Sequence, residues 1–108
     1  MAQTQSFELT GFQRDLLYVI AGLDQPSGQT IGRELERYID NVNHGRLYPN
    51  LNTLVELSLV EKSTQNQRTN YYEMTKNGKQ LLSYRLKWEN QYISHILETD
   101  QLVSQSPE

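Results

Sequence analysis

The chain has no cysteine. That excludes a disulfide framework, a thiolate zinc site and a thiol-based redox switch. It also has no run approaching the roughly 18 apolar residues needed to cross a bilayer. Its opening residues, Met1-Ala2-Gln3-Thr4-Gln5-Ser6, are polar and show no secretory pattern. These absences predict a cytoplasmic protein with no membrane partner. Positive charge is in short supply as well: 10 Lys and Arg stand against 13 Asp and Glu, a net charge of −3. Phosphate contacts normally draw on surplus Lys and Arg, so this balance argues mildly against nucleic acid. The only histidines are His44 and His95, on elements with different jobs, which predicts no metal site. Gly78-Lys79 is followed by Gln80 and lacks the upstream glycine of a phosphate-binding loop. With no Ser-His-Asp set or carboxylate pair in an obvious cleft, neither catalysis nor a cofactor is expected.

What is present fits one small domain of 108 residues. Thr10-Gly11-Phe12-Gln13 is a Thr-x-x-Gln capping box, and an apolar stripe of Phe12, Leu16, Val19, Ile20 and Leu23 follows it. After the turn at residues 24–28, Ser27 is placed to cap a second helix over about 28–40. That helix packs through Ile31, Leu35, Tyr38 and Ile39 and is charged outside at Arg33, Glu34, Glu36 and Arg37. A third helix starts near residues 44–47, with Asn43 as N-cap and Pro49 tolerable only in the first turn. Its apolar face is Leu47, Leu51, Leu54 and Val55; Arg46, Asn50 and Thr53 are expected on the opposite face. A tight turn between two helices, the second bearing polar groups outward, is the helix-turn-helix arrangement.

From Leu59 the period changes. Strands are expected over residues 59–63 and 71–75, with residues 64–70 forming a long polar tip: a wing. Thr75 then caps a final helix over about 76–97. It carries more apolar residues than one side of a helix needs against a small domain, and at about 33 Å its far half must overhang. An overhang bearing apolar side chains calls for a partner, and a second copy of the same chain supplies one. The dimerisation candidates are Leu81, Tyr84, Trp88, Tyr92, Ile93 and Ile96. The organisation expected is a loose 1–8, a DNA-binding winged helix-turn-helix over 9–75, a dimerisation helix over 76–98 and a loose 99–108. The fold class is mainly α with a small β-hairpin.

The basic residues between positions 43 and 70 (Arg46, Lys62, Arg68, with His44 titratable) soften the acidic balance. Arg46 is the first choice for a base-edge contact, since Arg is the commonest reader of guanine. Asn50 and Thr53 follow it, each open between a base contact and an idle polar face. Tyr48 either donates its hydroxyl to a phosphate or packs its ring at the edge of the core. Lys62 and Arg68 are candidates for the DNA backbone, assisted by Gln67 and Asn70. An Arg68 inserted in a narrow minor groove is the other use of the wing. His44 either touches phosphate or only helps the chain turn.

The run Gly45-Arg46-Leu47-Tyr48-Pro49-Asn50-Leu51, with Leu54 and Leu59-Val60-Glu61, resembles the signature of PadR-like winged-helix transcriptional regulators. Tyr71-Tyr72-Glu73-Met74-Thr75 with Gly78 is similar to their second wing strand and its exit into the last helix. The resemblance covers residues 9–92. It is nearest to an archaeal branch typified by the haloarchaeal regulator RosR, through Gln13-Arg14-Asp15-Leu16-Leu17-Tyr18 and the Leu-Tyr-Pro element. It implies a homodimer that binds operator duplex DNA and represses or activates a gene. The alternative is a winged-helix module that binds protein without DNA, favoured by the acidic balance.

Overall fold

The structure is a computed structural model that describes residues 6–66 and 68–105, with side chains described at 6–65 and 68–97. The elements run α1 (Gly11–Gly22), α2 (Gly28–Glu36), α3 (His44–Glu56), β1 (Val60–Asn66), β2 (Thr69–Met74) and α4 (Lys76–Gln105). Residues 6–8 are also helical, and α4 runs on to Gln105, so neither expected loose end is wholly irregular. Residues 1–5 and 106–108 lie outside the described residues.

Helix starts follow the caps written in the sequence. The Thr10 side chain accepts from the Gln13 amide while the Gln13 side chain accepts from the Thr10 amide, a complete capping box. Ser27 accepts from the Thr30 amide, Asn43 from the Arg46 amide, and Thr75 from the Gly78 amide. The Asn43 cap fixes the start of α3 at His44, so Pro49 is its sixth residue. This corrects the first-turn placement. The proline removes the bond that the Gly45 carbonyl would accept, and both residues are exposed, so water can take its place. α2 ends at Glu36 instead of about 40, and Tyr38, expected to pack, is 68% exposed beside Arg37.

The hairpin is longer and its tip tighter than expected. β1 and β2 pair antiparallel from Val60↔Met74 out to Asn66↔Thr69, with a bulge between Thr64 and Asn66. The polar residues expected to form a loose tip are thus mostly in the ladder. At the base of the hairpin, the Tyr72 amide donates to the Pro26 carbonyl and Ser27 bridges to Tyr71. This joins the segment before α2 to the wing.

One core holds these layers together. It is built from Leu16, Leu17 and Ile20 of α1, Ile31 and Leu35 of α2, and Leu47, Leu51 and Leu54 of α3. Leu59, Val60, Tyr72 and Met74 close it from the hairpin side, and Leu81 and Leu82 from α4. Each such side chain contributes about 1.5–3 kcal/mol by leaving water. α3 ends in a left-handed residue, Ser58 (φ 63), with the Leu59 amide donating to the Leu54 carbonyl and Ser58 to Val55. The Thr75 hydroxyl donates to the Ser58 carbonyl and the Thr75 amide to Leu59, which fastens the start of α4 to that corner.

α4 at 30 residues is about 45 Å long, against molecular extents of 50 × 32 × 23 Å. Only its first turns lie in the core. Beyond them Leu86, Tyr92, Ile93 and Ile96 are exposed, the last at 61%. Leu81, expected at a subunit contact, is fully buried in the core of its own chain. One turn before it, Gly78 brings the start of the helix close to Leu59 and Met74. Trp88 is half-buried, its ring edge-on to Phe7 at 4.9 Å and beside Tyr92 at 5.3 Å.

Candidate nucleic-acid interface

α3 buries Leu47, Leu51 and Leu54, and the stripe directly opposite is Gly45, Pro49, Asn52 and Glu56, all exposed. Arg46, Asn50 and Thr53 form the flank turned toward α1, not the outward stripe expected for them. The reason is helical geometry. At 100° per residue, Asn50 lies about 40° from the buried Leu54, so it meets the neighbouring helix.

On that flank the Gln13 side-chain amide donates to Asn50 Oδ1 at 3.0 Å, and Asn50 Nδ2 donates to the Arg46 carbonyl at 2.7 Å. Both ends of the Asn50 amide are thus engaged within the chain, which corrects its expected outward orientation. The Thr53 hydroxyl donates to the Pro49 carbonyl at 3.1 Å. Arg46 is exposed; its guanidinium lies 4.0 Å from the Phe12 ring centroid and donates to the Asp40 carbonyl at 3.4 Å.

On the other flank, His44 and Tyr48 lie next to each other with ring centroids 5.1 Å apart. The Tyr48 ring crosses the first residue of α2, where a Cβ on Gly28 would come within 2.6 Å of it. Glycine is therefore what lets this tyrosine lie there. Its ring packs at the core edge, and the residue lines a groove of about 380 Å³ together with Ser27, Gly28, Gln29, His44, Arg68, Thr69 and Asn70. Three elements meet at this groove: the start of α2, the first half of α3 and the outer end of the wing. Tyr72 is buried near Tyr48, and burial, with Tyr48 as a lesser cause, raises its phenol above the ordinary value.

The groove gathers His44, Tyr48, Arg68 and Asn70, while the Asn70 side chain also accepts from the Thr64 hydroxyl at 2.8 Å. Lys62 is not among them: it lines a separate concavity of about 430 Å³ with Gln25, Val55 and Ser58 at the base of the hairpin. Gln67 lies outside the described residues. Sequence reasoning missed Gln29, Arg33 and Asn52. Gln29 lines the groove, Asn52 is on the outward stripe, and Arg33 shares with His44 a second concavity of about 250 Å³ between α2 and α3. A helical wheel centred on Leu47, Leu51 and Leu54 would have singled out Asn52. Gln29 and Arg33 become visible only when α2 and α3 are placed side by side.

A helix pair set by a turn, a polar second helix and a hairpin at the same edge define a winged helix-turn-helix protein. The sequence model of the transcriptional regulator PadR-like family matches residues 16–84. The chain belongs to the PadR-like family of transcriptional regulators. Among solved structures it is similar to a complex structure of hsRosR (RosR-S4) at 37% identity. That match has a TM-score of 0.85 and covers 98% of this chain and 96% of the other. RosR of H. salinarum matches at 38% identity and TM-score 0.80, over 92% and 94% of the two chains. A PadR-family regulator from Clostridium difficile shares the fold at 22% identity and TM-score 0.63, over 82% and 96%. No curated protein matches the chain.

Among the described residues, no helix is long and apolar enough to cross a membrane.

Proposed function

We propose that the chain binds duplex operator DNA in a sequence-dependent way, as a homodimer. The observation that carries this reading is the groove where His44 and Tyr48 of α3, Gln29 of α2 and Arg68 and Asn70 of the wing converge. A helix end and a hairpin presenting hydrogen-bonding side chains on one edge suit a reading helix in the major groove, with the wing on the adjoining backbone. Arg46 is the base-edge residue, since a guanidinium fork matches guanine. His44, Tyr48, Arg68 and Asn70 hold phosphates, and Thr53 and Lys62 lie at the margins. Gln67, beside Arg68 in sequence, assists at the wing tip. Asn50 acts inside the chain.

The dimer contact is assigned to the overhanging part of α4. Tyr92, Ile93 and Ile96 are exposed there and Trp88 is half-exposed, with Tyr84 at the margin; Leu81 is used by its own core. Two copies paired along this helix present two reading helices to half-sites about one turn of DNA apart, roughly 34–36 Å.

The test is a duplex selected by the wild-type protein from a random-sequence pool, titrated at several salt concentrations. Log affinity is expected to fall linearly with log salt, and Arg46→Ala to cost roughly 1–3 kcal/mol and relax one base preference. Ile93→Lys is expected to sediment as a monomer. Absence of duplex affinity even at low salt would leave the protein-binding alternative standing.

A further inference from the structure

We propose that the first turn of α1, through Phe12 and Gln13, sets the direction in which Arg46 leaves the reading helix. Phe12 then determines sequence preference without touching DNA. The proposal rests on the operator-binding reading above and deepens it.

An exposed arginine has a long, flexible stem and samples many rotamers, so an unsupported one loses that freedom when it engages a base. Arg46 is supported at three levels. Its guanidinium lies 4.0 Å from the Phe12 ring centroid. Its Nη1 points to the Asp40 carbonyl at 3.4 Å. Its own carbonyl receives the Asn50 amide at 2.7 Å, Asn50 receives Gln13 at 3.0 Å, and Gln13 is locked by the capping box with Thr10.

The chain of contacts therefore runs from the α1 cap to the backbone of Arg46, while the ring next to that cap holds the side chain. A guanidinium carbon over the ring centroid uses the ring face, and with Nη1 turned to the Asp40 carbonyl the Nε and Nη2 N–H groups remain for a partner. Those groups are what a bidentate contact to guanine O6 and N7 requires. Phe12 and Gln13 are positioning residues in this scheme: neither needs to reach the duplex.

The probe is again the duplex selected by the wild-type protein, with a scrambled duplex of equal length for non-specific binding. Phe12→Leu keeps an apolar side chain but loses the ring face. It is expected to bind the selected duplex about two- to five-fold more weakly, the affinity equivalent of one exposed cation–π contact. Binding to the scrambled duplex is expected to stay unchanged, and Phe12→Tyr, which keeps the ring, to restore wild-type affinity. In an Arg46→Ala background, Phe12→Leu is expected to cost nothing further.

A Phe12→Leu chain that binds like wild type, or that loses as much again in the Arg46→Ala background, overturns the proposal while leaving operator binding intact. A wild-type protein that enriches no duplex overturns both. If thermal unfolding finds Phe12→Leu unfolded, Phe12→Met, which also lacks a ring face, carries the same comparison.

Discussion

Gly78 lies in the first turn of α4, where that helix crosses the corner between α3 and β1. A Cβ built there would overlap the Leu59 carbonyl oxygen and come within 2.9 Å of the Met74 methyl. The methyl can swing aside, but the carbonyl is backbone, fixed by the bond it accepts from the Thr75 amide at 3.1 Å. Gly78→Ala must therefore push α4 away from the corner and strain the cap built from Thr75. Overpacking of this kind costs typically 1–3 kcal/mol, with the upper end expected against backbone. Alanine returns about 1 kcal/mol through helix propensity, leaving a net loss of about 2 kcal/mol.

For a domain of this size that lowers the melting temperature by about 8–16 °C. Thermal scans at several protein concentrations, to allow for dimerisation, compare Gly78→Ala with Gly22→Ala. Gly22 is also helical, but a Cβ there meets nothing within 4 Å. If the two variants melt together, the close approach of α4 to Leu59 is not what makes position 78 a glycine.

Gly28→Ala is expected to behave differently, because the atoms 2.6 Å from its new Cβ belong to the far end of the Tyr48 ring. The ring swings out at a cost of about 1 kcal/mol. Affinity for the selected duplex falls while circular dichroism stays native; unchanged affinity would show that the position of Tyr48 in the groove is immaterial. Burial raises the Tyr72 phenol above 10.0, so the folded chain holds that proton more tightly than the unfolded one. Stability is then full below pH 10 and declines as pH rises past the unfolded value toward the folded one. Tyr72→Phe should make that decline shallower in urea titrations between about pH 9 and 11, although burial raises Tyr18 in the same direction. An unaltered slope would remove Tyr72 as a source.

Local chemistry was enough to place the helix starts. Thr10, Ser27, Asn43 and Thr75 cap the helices they precede because a cap needs only a side chain within three residues of the amides it serves. The apolar set Leu47, Leu51 and Leu54 likewise lies inward, since 3.6-residue periodicity marks the buried side of a helix before its neighbours are known.

Periodicity does not say which neighbour meets each flank, and there the tertiary structure decided. It turned Asn50 and Arg46 to Gln13 and Phe12 on α1, placed Leu81 in its own core, and brought Tyr48 to the wing over a glycine. Those contacts join residues from separate elements, the Gln13–Asn50 bond closing across 37 positions. What a side chain does at an interface between elements depends on how the elements pack, and packing is set by the whole core at once.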